Sequence, residues 1–246
     1  MTARVTRVRL RLAVGGKKFS AYARLLEEAA ILASTEAGYP PQWYVRENTA
    51  WVIRRSTIEC AAPLPADADL EITTWVADFR RVRSRREYEV YVPPGAVPAL
   101  TAHTDWVYLD RATGRPRRIA DPMMRAFVPD GPLPALPRVP VTLPFAPADA
   151  VAVARDVAAE DVDALDHVNN ARYFDYVEEA ARVVVGADLR AVRHDLEYLA
   201  EARAGDRLCC RCWPIESRGP GIETAAEILL AADGTPLTRA RSVWTA

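Results

Sequence analysis

The stretch DVDALDHVNNARYFDYVEEA, residues 161–180, decides the fold expected for this chain. Apolar residues recur in it at intervals of three or four, which is the spacing of one buried helix face. They are Tyr173, Tyr176, Val177, Ala180 and, just beyond the stretch, Val184. The helix is expected to begin at Asn170, whose side chain can accept hydrogen bonds from the free N–H groups of the first turn.

The residues before this helix carry groups that are able to do acid–base chemistry. A lone His167 lies between several acids and the pair Asn169 and Asn170. A helix N-terminus also favours negative charge that develops beside it, so its N–H groups are candidate oxyanion donors. A histidine beside two asparagines can equally be a capped and solvated loop, so the local pattern alone leaves both interpretations open.

The chain contains the same arrangement twice. The sequence EEAA occurs at 27–30 and again at 178–181, each time five residues after a tyrosine, Tyr22 or Tyr173. Strands are predicted before each helix, from Val5 to Val14 and from Ala150 to Val157. Further strands are predicted after each helix: Ala50 to Glu59, Asp69 to Val76, Arg86 to Val92 and Thr101 to Leu109, then Arg193 to Tyr198, Arg207 to Pro214, Glu223 to Leu230 and Thr238 to Trp244. A helix followed by a run of strands, twice, predicts an α+β fold with each helix packed on an antiparallel sheet.

The boundary between the two halves is rich in proline. Seven prolines lie between Pro129 and Pro147, and proline lacks an N–H and fixes φ, so neither a regular helix nor a strand is expected there. We therefore predict a first domain over residues 1–128, an extended linker over 129–149 and a second domain over 150–246. The first helix is predicted to be capped by Ser20 and to end at the segment Gly38-Tyr-Pro-Pro41, and strand-like residues resume near Arg118.

The pattern Asp163-x-x-x-His167-Val-Asn-Asn-x-x-Tyr173 resembles the signature of hotdog-fold thioesterases. It is most similar to the acyl-acyl carrier protein thioesterases and the 4-hydroxybenzoyl-CoA thioesterase-like group. The resemblance covers most of the chain. It implies a tandem (double) hotdog, with two antiparallel sheets each wrapped around a long helix, as a monomeric pseudo-dimer or a homodimer. It also implies a thioester hydrolase that releases a fatty or ketide acyl chain from acyl carrier protein, or from CoA, by carboxylate-based catalysis.

The same resemblance implies the catalytic residues Asp163, His167 and Glu201. Asp163 attacks the thioester carbonyl or activates water, His167 positions the thioester and Asp163, and Glu201 orients water or His167. Substrate-binding roles are expected for Asn169, Asn170 and Tyr173. The chain departs from the family pattern at Ala202, where the plant enzymes carry a cysteine, and at Leu165, where the family carries an asparagine two residues before its histidine.

The repeat indicates which half carries out the chemistry. When the two EEAA segments are aligned, Gly16 stands at the place of His167, so the first half lacks an acid–base group there. We therefore assign catalysis to the second half, and scaffolding or substrate binding to the first. A different use of the first half, through Glu27, Glu28 or His103, stays open at this point.

An arginine cluster is the second functional candidate. Five arginines occur in the seven residues 80–86 of a chain with a net charge of −1. Strand alternation places Arg81, Arg83 and Arg85 on one face, where they would bind the acidic surface of a carrier protein, or the phosphates of CoA or of the pantetheine arm. The alternative is a charged, solvated strand or turn.

Composition excludes several other classes. With 246 residues, half of them hydrophobic, the chain suits one large or two small globular domains. The balanced charge argues against nucleic-acid binding, and the absence of an apolar run of 18 residues or of a signal-peptide core predicts a cytoplasmic protein with no membrane span. The cluster Cys209, Cys210 and Cys212 lies on a predicted strand, where buried cysteines are a better interpretation than zinc ligands. No metal or cofactor is expected.

Two other functions are compatible with a hotdog fold. A hotdog dehydratase or hydratase would place its histidine and acid differently from the pattern at Asp163 and His167. A non-catalytic acyl- or carrier-binding module is disfavoured by the intact Asp163, His167 and Glu201, but Leu165 favours it mildly.

Overall fold

The structure, a computed structural model, describes residues 3–12, 18–130, 136–163, 166–217 and 219–246. Its α-helices are α1 (Phe19–Glu36), α2 (Pro41–Arg46), α3 (Asp121–Phe127) and α4 (Arg172–Val185). Its strands are β1 (Val5–Arg11), β2 (Thr49–Cys60), β3 (Asp69–Arg80), β4 (Arg83–Tyr91), β5 (Leu100–Asp110), β6 (Val151–Asp156), β7 (Arg190–Tyr198), β8 (Arg207–Ile215), β9 (Ile222–Leu230) and β10 (Pro236–Thr245).

The chain divides into two compact units of the same topology. The first contains Ala21–Ser56 and Ala62–Val139 together with β1, and the second contains Lys18–Ser20, Thr57–Ala61 and Pro140–Ala246. Neighbouring strands follow the order β1-β3-β4-β5-β2 in the first unit and β6-β8-β9-β10-β7 in the second. Each strand thus has a counterpart at the same place of the other set, as the repeated sequence pattern predicts.

The prediction of two separate sheets is not confirmed. Strand β2 is shared, because residues 49–56 belong to the first unit and 57–60 to the second. The strands accordingly form one ten-stranded sheet. A strand of 12 residues is long enough to take part in both sets. The continuity of the sheet was not predicted, because strand periodicity does not show which strands pair.

The predicted helix faces form the core. In α4 the residues Tyr173, Tyr176, Val177 and Ala180 are each at most 2% exposed, and the helix packs on β8 and β9. Val184, near the end of the same stripe, is only half-buried. The predicted face of α1 is also buried; its members are Tyr22, Leu25, Leu26, Ala29 and Ala33.

Several predicted boundaries are wrong for local reasons. Ser20 lies inside the first turn of α1 and its hydroxyl donates to Asp175 (2.7 Å), so it is not the N-cap. The N-cap of α4 is Ala171, one residue after the predicted Asn170. Near Arg118 the chain forms α3 rather than a strand, because Pro122 is well tolerated in the first helical turn. The predicted end of the first strand at Val14 lies outside the described residues.

The described parts of the predicted linker, residues 129–130 and 136–149, contain no helix or strand, as predicted. The linker is nevertheless tied to the first unit by a buried charge network. Asp78 accepts hydrogen bonds from the Leu136 N–H (2.8 Å) and from Arg138 (3.0 Å), and Arg138 also lies 3.2 Å from Asp105. Asp105 in turn accepts two hydrogen bonds of 2.8 Å from Arg85, the residue directly opposite it on β4.

We expect Arg138→Met to destabilise the protein by about 3–5 kcal/mol, because it leaves the buried Asp78 carboxylate without its cation. Urea unfolding of Arg4→Met is the matched control. The Arg4–Glu36 pair has side chains 37% and 53% exposed, so its loss should cost only about 0–1 kcal/mol. Equal losses in the two variants would contradict a stabilising role of the network.

Candidate active site

The loop before α4 is a short hairpin. The Asp161 carbonyl accepts from the Asn169 N–H (2.9 Å), Val162 and Val168 form an isolated β-bridge, and the Asp163 N–H donates to the His167 carbonyl (2.9 Å). Asp163 and His167 are therefore opposite each other near the tip of the hairpin. The two residues are four positions apart in the sequence, and this backbone hydrogen bond joins them.

A second loop supports the hairpin. The Val168 N–H donates to the Ala202 carbonyl (2.8 Å), which brings residues 199–206, the connection between β7 and β8, against the hairpin. Glu201 lies in this connection, because β7 ends at Tyr198. The backbone bond at Ala202 places both flanking side chains, those of Glu201 and Arg203, beside His167.

His167 has two partners at the same ring nitrogen. Its Nε2 lies 3.1 Å from Glu201 Oε2 and 3.0 Å from Arg203 Nη2. A protonated Nε2 donates to the Glu201 carboxylate, whereas an unprotonated Nε2 accepts from Arg203, since a guanidinium has no acceptor. The contacts therefore fit a ring that carries its proton on either nitrogen.

The site is open to solvent. The His167 side chain is 24% exposed and that of Glu201 61% exposed, and Asp163 is exposed. A thioester can therefore reach all three. The structure brings His167 and Glu201 into direct contact and places Asp163 opposite His167 through the backbone. Leu165, which replaces the family asparagine, lies outside the described residues, as does Gly16, the counterpart of His167.

The two asparagines shape the turn into α4. Asn169 Oδ1 accepts from the Ala171 N–H (2.9 Å) and its carbonyl accepts from the Arg172 N–H (2.8 Å). Those two N–H groups at the helix start are therefore engaged and are not the predicted oxyanion donors. The Asn170 carbonyl accepts from the Tyr198 hydroxyl (3.2 Å), and Asn170 itself is half-buried.

Tyr173 is a core residue under the site. It is 2% exposed, and its ring packs edge-on against those of Tyr176 and Tyr198 at 5.8 and 5.7 Å. Burial raises the pKa of its phenol to about 12, and the nearby Ala202 backbone opposes part of that rise. Tyr173 is thus placed beneath the loop that carries Glu201.

Sequence reasoning missed Arg203. Its contact with His167 depends on the Val168–Ala202 backbone bond, which joins two loops far apart in the chain. The available signal was its position, two residues after Glu201 in a segment that the resemblance had already selected.

The arginine cluster is divided by the structure. Arg81 and Arg83 are exposed, but Arg85 is 8% exposed and bound to Asp105. Arg81 lies in the β3–β4 turn with φ of 24°, so the expected single face of three arginines does not form. The exposed loop 111–118 is adjacent, since the Ile119 N–H donates to the Arg81 carbonyl (2.7 Å). That loop adds Arg111, Arg115, Arg117 and Arg118, all exposed.

The described part of the chain has neither a metal-binding cluster of side chains nor a helix suited to cross a membrane. It holds no cluster of three or more His, Cys, Asp or Glu side chains arranged to bind a metal ion. Cys210 and Cys212 are buried, as expected for strand residues, and burial raises the pKa of the Cys210 thiol to about 12. None of the described helices has the length and apolar character needed to span a bilayer.

Comparison with known families identifies the chain. Residues 15–127 match the acyl-ACP thioesterase N-terminal domain, and residues 149–246 match the acyl-ACP thioesterase C-terminal domain, where ACP is acyl carrier protein. The chain belongs to the acyl-ACP thioesterase family. The predicted activity, thioester hydrolysis, is confirmed at this level, and the dehydratase and binding-module alternatives are not supported.

Solved structures confirm the double-hotdog fold. The chain superposes on an assigned oleoyl thioesterase from Lactobacillus plantarum with a TM-score of 0.88 and 18% identity, covering 98% of this chain and 96% of the other. The superposition on an acyl-ACP thioesterase from Bacteroides thetaiotaomicron has a TM-score of 0.80 at 18% identity, with 98% of each chain covered. The superposition on the 12:0-ACP thioesterase from Umbellularia californica has a TM-score of 0.81 at 18% identity, covering 98% of this chain and 94% of the other. No protein with a curated record matches the sequence significantly.

We expect His167→Ala to lower kcat for thioester hydrolysis by about 10²- to 10⁴-fold, the usual loss for a positioned acid–base group. His103→Ala, in the first unit on β5, should leave kcat near the wild-type value. Thiol release from an acyl-pantetheine substrate measures both variants. A wild-type rate in His167→Ala together with a loss in His103→Ala would reverse the assignment of catalysis to the second unit.

Proposed function

We propose that this thioesterase hydrolyses acyl-ACP thioesters at the hairpin of the second unit, with Asp163 as nucleophile or general base. The observation that carries this proposal is the contact of His167 Nε2 with Glu201 Oε2 at 3.1 Å, at the tip of a hairpin that places Asp163 opposite His167. A carboxylate, an imidazole and a second carboxylate therefore border one solvent-exposed space. The acyl group is a fatty or ketide chain.

The roles of the two carboxylates follow from their surroundings. Glu201 contacts the imidazole, so it orients the ring and accepts the Nε2 proton in a hydrogen bond. Asp163 lies across the hairpin, where it attacks the thioester carbonyl or removes a proton from the attacking water. Two close carboxylates with the same task would raise each other's pKa, so a division of roles is favoured.

Arg203 supplies a fixed positive charge at this site. Its guanidinium lies 3.0 Å from His167 Nε2 and 3.4 Å from Asp166 Oδ2. A donor-only cation beside the reacting centre stabilises the oxyanion that forms when the thioester carbonyl is attacked. Because the N–H groups of Ala171 and Arg172 are engaged within the turn, Arg203 is a better candidate for this role than the helix start.

Asp163→Asn is expected to lower kcat by about 10²- to 10⁴-fold while the protein still folds and binds substrate. Glu201→Gln should cost a similar amount or less. Steady-state thiol release, with circular dichroism as the check on folding, measures both. If both variants keep kcat within about threefold of wild type, well below the range for acid–base groups, carboxylate catalysis at this hairpin is wrong.

The nucleophile and general-base roles of Asp163 predict different destinations for the oxygen of the attacking water. A nucleophilic Asp163 forms an acyl anhydride as the thiolate leaves. Water that attacks the aspartyl carbonyl of this anhydride adds its oxygen to Asp163, and the aspartyl C–O bond breaks to release the acyl carboxylate. Single turnover in ¹⁸O water, followed by mass spectrometry of the peptide that contains Asp163, detects that oxygen. A general base sends the labelled oxygen only into the released acid.

The exposed arginines of the first unit are the proposed docking surface for the carrier protein. Arg81 and Arg83 retain this role and are joined by the adjacent arginines of loop 111–118. Arg85 does not, because Asp105 already binds its guanidinium. Residues 110–118 contain four arginines and one acid, Asp110, and Arg118 also lies 4.0 Å from Asp121, so the net charge of this surface is positive. An acidic carrier surface matches it in charge.

We expect the double variant Arg81→Glu and Arg83→Glu to raise the apparent KM for an acyl-ACP and to flatten its salt dependence. Charges separated by more than about 8–10 Å are screened at physiological salt, so the wild-type effect should fade as salt rises. An acyl-pantetheine substrate should be affected much less. Arg9→Glu with Arg11→Glu, on the exposed side of β1, is the matched charge control. Equal effects on both substrates, or equal effects of the control, would contradict the docking surface.

A further inference from the structure

Asp161 is a buried acid that the proposed chemistry does not use. It is 1% exposed, and its carboxylate accepts hydrogen bonds from Arg172 Nε (2.6 Å) and the Tyr176 hydroxyl (2.7 Å) on α4. The Ala158 N–H approaches it at 3.4 Å. Burial by itself raises the pKa of this carboxyl, but the hydrogen bonds from Tyr176 and Arg172 outweigh it and leave the pKa below its usual value. The group is therefore ionised at neutral pH.

The same residue closes the base of the catalytic hairpin. Its carbonyl accepts from the Asn169 N–H (2.9 Å), and Asp163 and His167 both lie between these two residues. One end of the hairpin is thus fixed to α4 through the Asp161 side chain. The other end, Asn169, is fixed by the hydrogen bond from its backbone N–H to the Asp161 carbonyl.

The anchor on α4 is itself held in place. The Tyr176 ring lies under the guanidinium of Arg155, whose carbon is 4.8 Å from the ring centroid. Arg172 also pairs with Asp175 (2.5 Å), and Asp175 accepts from the Ser20 hydroxyl (2.7 Å). These contacts restrict the rotamers of Tyr176 and Arg172, so the position of the Asp161 carboxylate is set by the helix.

We infer that Asp161 is a positioning residue of this thioesterase, which holds Asp163 and His167 at the distance from the thioester that hydrolysis needs. It acts through the backbone of the hairpin and does not touch the substrate. Displacement of a reacting group by about 1 Å can lower a rate by about 10²-fold. The inference rests on the proposed function, because it assumes that Asp163 and His167 do the chemistry.

Three variants separate positioning from general stabilisation. Asp161→Asn keeps the shape but removes the charge, and Tyr176→Phe removes one hydrogen bond with no change of ring shape. Ser242→Ala is the matched control in the same unit. Ser242 is 1% exposed, and its hydroxyl bonds to His194 Nδ1 (2.7 Å), which joins β10 to β7 without contact to the Asp161 carboxylate.

We expect Asp161→Asn to lower kcat by about 10- to 100-fold and Tyr176→Phe by a smaller factor, with KM for an acyl-pantetheine changed by less than about threefold. Hydrogen exchange at the amides of Asn169 and Asp163 should become faster in both. Ser242→Ala should lower the Tm but leave kcat within about twofold and these two amides unchanged. The double variant of Asp161 and Tyr176 should lose less than the product of the two single losses, since both break the same contact.

The inference fails if folded Tyr176→Phe and Asp161→Asn keep kcat within about twofold, or if Ser242→Ala lowers kcat as much as they do. If Asp161→Asn does not fold, Tyr176→Phe decides alone. The kcat values of Asp163→Asn and His167→Ala show whether the positioning role or the proposed function has failed. When these are inactive and Asp161→Asn is fully active, positioning is wrong and the proposed function stands. When they are active, the proposed function itself is wrong.

Discussion

The hydrogen bonds between the Asp161 carboxylate and α4 are the contact on which the geometry of the candidate site depends. Arg172 and Tyr176 lie one helical turn apart, so both can reach the same carboxylate from one helix face. The helix is fixed in turn by its buried stripe against β8 and β9. Asp161 and Asn169, the two ends of the hairpin, are thereby held by a packed helix, which fixes them more precisely than solvent would.

That constraint also explains the chemistry assigned to the second unit. The hairpin presents Asp163 and His167 at its tip, and the Val168–Ala202 backbone bond brings Glu201 and Arg203 to the same imidazole nitrogen. The first unit has the same strand order, but its buried charged residues form a different network. Its network of Asp78, Arg138, Asp105 and Arg85 ties the linker to the sheet.

Much of the fold could be predicted because the patterns are local. The spacing of Tyr173, Tyr176 and Val177 predicted the buried face of α4, and the EEAA repeat predicted the duplicated element order. The continuity of the sheet through β2 could not be predicted, because strand periodicity does not show which strands pair. Arg85 was misassigned for a related reason: its burial depends on Asp105, which lies opposite it only through the β4–β5 register. Arg203 likewise required a contact between two loops.

The central claim is that the thioester carbonyl reacts at the hairpin of the second unit. An acetyl-sized ketone analogue, in which a methylene replaces the thioester sulfur of a pantetheine substrate, binds without being hydrolysed. Amide chemical shifts recorded by NMR during its titration test the claim directly. The account predicts the largest changes at the amides of Asp163, His167 and Arg203. Changes centred on Glu27, Glu28 and His103, with those three amides unaffected, would contradict it.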